Sequence, residues 1–191
     1  IVIDCAPNVI EQLDANCEFT LADYTDLSTV TDNCSADVTA TQTPAPGTVF
    51  SGDETEIDVN INYEDASGNS IDCQFTVTLE DSIAPSVDCL ENRVLYTNSG
   101  CGYVIEDFTS EGVAIDNCSA TADIVITQSP AAGMVIGVEN VTQIIILTAT
   151  DLAGNSKTCF FTITLLDDIA PEIMCGEDIT VFGDAFCQYA I

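Results

Sequence analysis

Cys73-Gln74-Phe75-Thr76-Val77-Thr78-Leu79 returns 86 residues later as Cys159-Phe160-Phe161-Thr162-Ile163-Thr164-Leu165. In both copies a cysteine and three apolar residues fall at every second position, the period of a β-strand with one face buried. Ile57, Val59, Ile61 and Tyr63 keep the same period just upstream, and no helical spacing competes. Working outward, Cys5, Cys17, Cys34 and Cys73 recur as Cys89, Cys101, Cys118 and Cys159, and Cys175 and Cys187 begin the series again. Such self-similarity at a fixed period marks a repeat architecture. Shorter text repeats as well: Asp32-Asn33-Cys34-Ser35-Ala36 with Asp116-Asn117-Cys118-Ser119-Ala120, Asp65-Ala66-Ser67-Gly68-Asn69 with Asp151-Leu152-Ala153-Gly154-Asn155, and Asp81-Ser82-Ile83-Ala84-Pro85 with Asp167-Asp168-Ile169-Ala170-Pro171. The expected organisation is therefore repeat 1 over 1–82, repeat 2 over 83–168, and the start of a truncated third repeat over 169–191. Strands broken by Asp-Asn, Pro-Gly and Ser-Gly-Asn turns, in units of about 85 residues, predict an all-β chain of tandem immunoglobulin-like β-sandwich repeats.

Composition narrows what such repeats can do. Two basic side chains, Arg93 and Lys157, stand against 32 acidic ones, for a formal charge of −30. Two cations cannot displace counterions from a nucleic acid or hold an anionic membrane surface. The absence of histidine removes imidazole bases, Ser-His triads and His-ligated zinc or haem. Paired carboxylates of the glycosidase kind are numerous, but an active site is not expected at every repeat. The reading is that the chain is not an enzyme. With 47% apolar residues and dispersed acid the chain is globular, not disordered. Ten cysteines point to an oxidising, extracellular compartment. The apolar run at Ile144–Leu147 is far short of the ~20 residues of a membrane helix, so no direct membrane insertion is expected. The chain opens at Ile1 without Met or a signal-like segment, which reads as a processed or excised piece of something longer.

The opening Cys, the Asp-Asn-Cys-Ser run, the Asp-x-x-Gly-Asn loop, the Cys-x-Phe-x-Val-x-Leu strand and the Asp-x-x-Ala-Pro linker together resemble the hyalin repeat (HYR) module. The resemblance covers the whole chain and is greatest to the four-cysteine tandem form of very large secreted adhesins in gliding and biofilm-forming Bacteroidota. It implies cell adhesion at the cell surface.

Four cysteines per repeat allow three pairings. Ile1, Ile3 and Cys5 share a strand face, as do Cys73, Phe75, Val77 and Leu79, and first and last strands are neighbours in sandwiches of this type. The expected bonds are Cys5 to Cys73 and Cys89 to Cys159, leaving Cys17 for Cys34 and Cys101 for Cys118; a Cys5 to Cys17 pairing is the alternative. No Cys-x-x-Cys occurs, and the spacings suit no zinc ribbon or redox motif. Cys175 and Cys187 have no partner assigned by this scheme.

In an immunoglobulin-type sandwich the loops before the third and last strands meet at the end where the chain arrives. Those loops carry Asp116, Asn117, Asp151 and Asn155, and the linker from repeat 1 brings Glu80 and Asp81 to the same end. Hard oxygen donors of this kind suit Ca²⁺ better than Zn²⁺ or Mg²⁺. The competing reading is that Asp and Asn are simply good turn residues. Sequons at Asn33, Asn117 and Asn140, and an Asp81-Ser82-Ile83 run like an O-glycosylation site, are weaker features. Phe50, Tyr63, Tyr96 and Tyr103 read as core or strand-surface residues.

The function expected from these features is a disulfide-stapled stalk or fibre segment whose partners are neighbouring repeats of the same long chain, with surface glycans or other cell-surface proteins contacted by distant parts. The alternative is that the repeats themselves bind a glycan or protein. A cation at the linker, or else apolar burial of Ile83 or Ile169, would stiffen the joint.

Overall fold

The computed structural model describes the chain except residues 35–36, 53–55, 99, 138–140, 184, 187 and 189–191, so the Asn140 sequon and Cys187 lie outside the described residues. Repeat 1 contains β1 (Val2–Asp4), β2 (Val9–Gln12), β3 (Glu18–Thr20), β4 (Thr29–Thr31), β5 (Val38–Thr43), β6 (Val49–Ser51), β7 (Glu56–Asp65) and β8 (Ser70–Glu80). Repeat 2 contains β9 (Ser86–Asp88), β10 (Arg93–Tyr96), β11 (Gly102–Val104), β12 (Val113–Ile115), β13 (Val125–Ser129), β14 (Val135–Gly137), β15 (Thr142–Thr150) and β16 (Ser156–Leu166). No helix occurs among the described residues, hence none long and apolar enough to cross a membrane. Described residues after Leu166 form no strand and are mostly exposed.

Each repeat is a sandwich with one four-stranded sheet, ordered β2-β8-β7-β5 in the first and β10-β16-β15-β13 in the second. The facing layer is made of the short pairs β1-β4 and β3-β6, and then β9-β12 and β11-β14. The long hairpins β7-β8 and β15-β16 set the register, with Val59 opposite Phe75 and Ile61 opposite Cys73, and Ile145 opposite Phe161 and Leu147 opposite Cys159. The period-two residues quoted above line the core. Val59, Ile61, Val77 and Leu79 are fully enclosed in repeat 1, as are Ile145, Leu147, Ile163 and Leu165 in repeat 2. Edge-to-face ring pairs close each core: Tyr24 with Phe75 at 5.5 Å and Phe108 with Phe161 at 5.2 Å between centroids.

Two departures from a simple seven-strand reading matter. The first strand divides: β1 pairs antiparallel with β4, whereas β2 crosses over to pair parallel with β8. Cys5 lies at this crossover and is bonded to the buried Cys73; Cys89 and Cys159 are bonded in the same way. The second strand also divides, into β3 and β4, around a turn in which Asp23 Oδ1 accepts hydrogen bonds from Thr25 N and Oγ1, as Asp107 does from Thr109. The backbone groups freed by that break are served by a glutamine. Gln42 Oε1 accepts from Tyr24 N and its Nε2 donates to Ala22 O; Gln128 repeats this with Phe108 N and Glu106 O. A buried amide thus stands in for missing ladder bonds.

The expected Cys17–Cys34 and Cys101–Cys118 bonds are not what the structure shows: Cys17 is bonded to Cys118, and Cys34 and Cys101 are exposed thiols. The reason is the position of each loop. Cys17 follows β2, whose extension is tied to the trailing end of repeat 1 by Leu13 N donating to Glu80 O. Cys34 follows β4, whose Thr31 pairs with Val2 at the leading end. Within a repeat these cysteines are at opposite ends; across the linker the corresponding residues meet. The alternative Cys5–Cys17 pairing is absent as well, since both cysteines have other partners.

Turn carboxylates give an acid limit to stability. Asp14, Asp23, Asp65 and Asp107 all have pKa values held below the usual 3.8, through hydrogen bonds from Glu18 N, Thr25, Asn69 and Thr109 respectively. A carboxylate depressed in the folded state stabilises it above the unfolded value, and that contribution disappears as pH falls through the lowered one. The melting temperature is expected to fall below about pH 4, and to fall less steeply in D65N and D107N. A fall of identical steepness in those variants would refute the assignment.

Candidate metal centre at the joint between repeats

Beyond Glu80 the period-two constraint of β8 ends, and Asp81 turns back into the joint, where its Oδ1 accepts a hydrogen bond from Ile83 N. Asp116 begins the loop after β12, and Cys118 N and Ser119 N donate to its Oδ2. Asp151 follows β15 and accepts Asn155 N on Oδ1, in a turn closed by Gly154 at φ +92°, a conformation glycine adopts without a Cβ penalty. Three different elements therefore deliver one carboxylate each. One oxygen from each of Asp81, Asp116 and Asp151 lies within 4.8 Å of the others, and Asp81 and Asp151 are only 6% exposed.

Asn117 and Asn155 bind the joint together. Asn117 Nδ2 donates to Asp14 O of repeat 1 and to Asp81 Oδ1, while Asn155 Nδ2 donates to Asp81 O. Glu80, expected in the same cluster, is exposed and is not one of the three gathered carboxylates; alternation along β8 points it away from the buried Leu79 face. Ile83 is 38% exposed, so it is not buried as an apolar contact in this joint; Ile169, in the linker after repeat 2, is 51% exposed. Ile83 instead lines an open groove with Ala15, Ala84, Ile115 and Asn117.

The donor set fits a hard divalent cation. Asp116 Oδ1, Asp151 Oδ2 and Asn117 Oδ1 are buried and receive no hydrogen bond. Two like charges at that spacing repel by about 1–3.5 kcal/mol between effective dielectrics of 80 and 20. Of the two basic side chains in the sequence, Arg93 is engaged with Glu111 at 2.6 Å. Repeat 1 supplies a comparison within the molecule. There Asn69 Nδ2 turns back onto Asp65 Oδ2, and the loop satisfies itself. In repeat 2 the matching Asn155 is drawn to the linker carbonyl, leaving Asp151 Oδ2 open. Sequence reading located these loops but missed the Cys17 turn as the other wall of the joint, because only the placement of loops at opposite ends of a repeat reveals it.

Among solved structures the chain is similar to human protocadherin-24 EC1-2, at 18% identity over 85% of this chain and 95% of that one, with a TM-score of 0.39. It is also similar to Drosophila N-cadherin EC1-4, at 13% identity, 84% of this chain and 47% of that one, TM-score 0.40, and to human mucin-like protocadherin EC1-2, at 10% identity, 87% and 98%, TM-score 0.36. These superpositions are too loose to transfer any property. No curated protein matches. The HYR domain matches twice in succession, over residues 2–79 and 80–165, and the chain belongs to the HYR domain family.

Proposed function

We propose that the chain is a stalk segment of a large extracellular adhesin, of the kind its sequence resembles in gliding and biofilm-forming Bacteroidota, and that Ca²⁺ holds successive repeats in a fixed alignment. The observation that supports this best is the joint itself: three carboxylates from three elements, with buried oxygens of Asp116, Asn117 and Asp151 lacking donors. Asp81, Asp116, Asp151 and Asn117 Oδ1 would supply the ligands, and Asn155 would orient the linker. Glu80 is left out of the ligand set. The short, proline-ended linker Ser82-Ile83-Ala84-Pro85 leaves little freedom to remove. The partners are neighbouring repeats, and contact with glycans or proteins on a surface belongs to other parts of the parent.

Small-angle scattering and calorimetry with calcium and with EDTA test this. At a calcium concentration 100 times Kd the linked transition is expected to gain about 2.7 kcal/mol, with a narrower distribution of inter-repeat angles. D151N, which removes the charge while keeping the side chain's size, is expected to lose that response. An angle distribution and melting temperature indifferent to chelation would reject the calcium joint.

A second reading, that the repeats themselves contact a ligand, is favoured by one surface. Ile144, Ile146 and Phe160 line a shallow apolar hollow on the outer face of β15-β16, with Phe160 69% exposed. The matching positions in repeat 1 are Asp58, Asn60 and Gln74. Restoring those residues in repeat 2 should abolish any binding to cell-surface material without lowering stability.

A further inference from the structure

The Cys17–Cys118 bond crosses the joint, linking the turn after β2 of one repeat to the Asp-Asn-Cys loop of the next. Both halves of that link are present again, unbonded. Cys101 is the counterpart of Cys17, and Cys34 the counterpart of Cys118, each displaced by 84 residues. We propose that the bond is one member of a series in which every joint is covalently closed: Cys101 takes the Asp-Asn-Cys cysteine of a repeat that follows, and Cys34 the turn cysteine of one that precedes. This rests on the stalk reading in so far as it requires like repeats on both sides.

The bonded pair is the observation that carries the inference, and the unbonded counterparts are held as the bonded ones are. Cys17 has φ +59° and Cys101 φ +57°, both in the left-handed region that non-glycine residues seldom adopt. Cys17 N donates to Asp14 O and Cys101 N to Asn98 O, each at 2.9 Å. Asp14 Oδ1 fixes the first turn through Asn16 N and Glu18 N; Asn98 Oδ1 fixes the second through Gly100 N and Gly102 N. On the other half, Cys34 N donates to Asp32 as Cys118 N does to Asp116, both at 2.9 Å. Cys101 also borders a groove with Asn98, Asp167, Ile169, Ala170 and Pro171. Ile169 and Ala170 there match Ile83 and Ala84 in the groove at the closed joint. The trailing end of repeat 2 thus has the shape of the joint without its second wall.

Closure is thiol–disulfide exchange. One cysteine thiolate attacks the disulfide of a thiol oxidoreductase, or of oxidised glutathione in vitro, and releases one thiol; the partner thiolate then displaces the second. Two protons and two electrons leave the protein cysteines, and the oxidant becomes two thiols. The joint's alignment by Asn117 and the carboxylates brings the partners together, so exchange needs no change within either sandwich.

The test uses the 191-residue chain with C175S and C187S, so that the tail thiols cannot interfere. One preparation also carries C34S, the other C101S, and the two are mixed with oxidised glutathione and calcium. Both changed residues are exposed and unbonded, so the fold is expected to persist. The inference expects a mixed dimer linked Cys34 to Cys101, formed at least tenfold faster than dimers in either preparation alone, and a Cys17–Cys118 peptide in both. Statistical mixing of Cys34–Cys34, Cys101–Cys101 and Cys34–Cys101 links would overturn it, as would peptides joining Cys17 to Cys34. If linking fails while the calcium response of the single chain persists, the covalent series is wrong and the stalk stands; loss of both would remove the two readings together.

Discussion

Replacing Cys89 and Cys159 together by alanine will cause a large loss of stability, confined at first to repeat 2. The bond closes a loop of cysteines 70 positions apart, for which the chain-entropy treatment gives about 4.4 kcal/mol. In a unit of about 85 residues, where each kcal/mol shifts the midpoint by roughly 4–8 °C, the transition should fall by about 20–35 °C. The partner loss is not offset by core rearrangement, since Leu147 opposite Cys159 is already fully enclosed. Differential scanning calorimetry should show an early endotherm for repeat 2 with the repeat 1 transition retained. An unchanged midpoint, or an equal change on reducing the variant, would show that the bond does not constrain the chain in this way.

F161A should be nearly as damaging, by a different route. Phe161 is 1% exposed, faces Ile145 across the hairpin and meets Phe108 edge-to-face. Its truncation removes transfer energy and leaves a cavity that two rigid layers cannot close, at a cost of about 3–5 kcal/mol. Part of that is lost ring geometry, since Phe108 is also held from above by the Arg93 guanidinium at 5.4 Å. F161L should recover most of the loss, because it refills volume without the ring. Equal destabilisation by both would place the effect in the ring contact alone.

β7, β8 and β16 were legible because apolar residues at every second position over ten or eleven residues leave one solution, whereas the unbroken apolar run Ile144–Leu147 in β15 shows no period. Their neighbours were not. β1, β3 and β4 each have three residues, too few to show a period, and the crossover between β1 and β2 has no signature beyond Ala6-Pro7. Gln42 reads as a polar residue between threonines, and its burial follows only from the gap between β3 and β4 that it fills. Its return as Gln128, in Thr-Gln-Thr-Pro and Thr-Gln-Ser-Pro, was the available signal. At the joint, the Asp and Asn loops were identified from the direction in which a sandwich receives its chain. Strand faces, however, restrict cysteine partners only within one sandwich, so they could not identify Cys118 as the partner of Cys17. Glu80 follows the opposite lesson: alternation after Leu79 already turned it outward, and proximity in sequence to Asp81 outweighed that rule.

The arrangement of the three bonds determines what happens when the chain is pulled or cut. Tension arriving at Cys5 passes directly to Cys73 and then along residues 74–88 to Cys89 and Cys159, bypassing both sandwiches. Those 15 residues can be drawn out to about 50 Å, against about 290 Å for a full 84-residue period without bonds. Even complete unfolding therefore adds little length, and a chain bonded this way transmits force without acting as a spring. A protease that nicks the exposed linker, at Ser82 or Ala84, leaves the two halves joined through Cys17 and Cys118, so separating them takes a reductant as well as a cut.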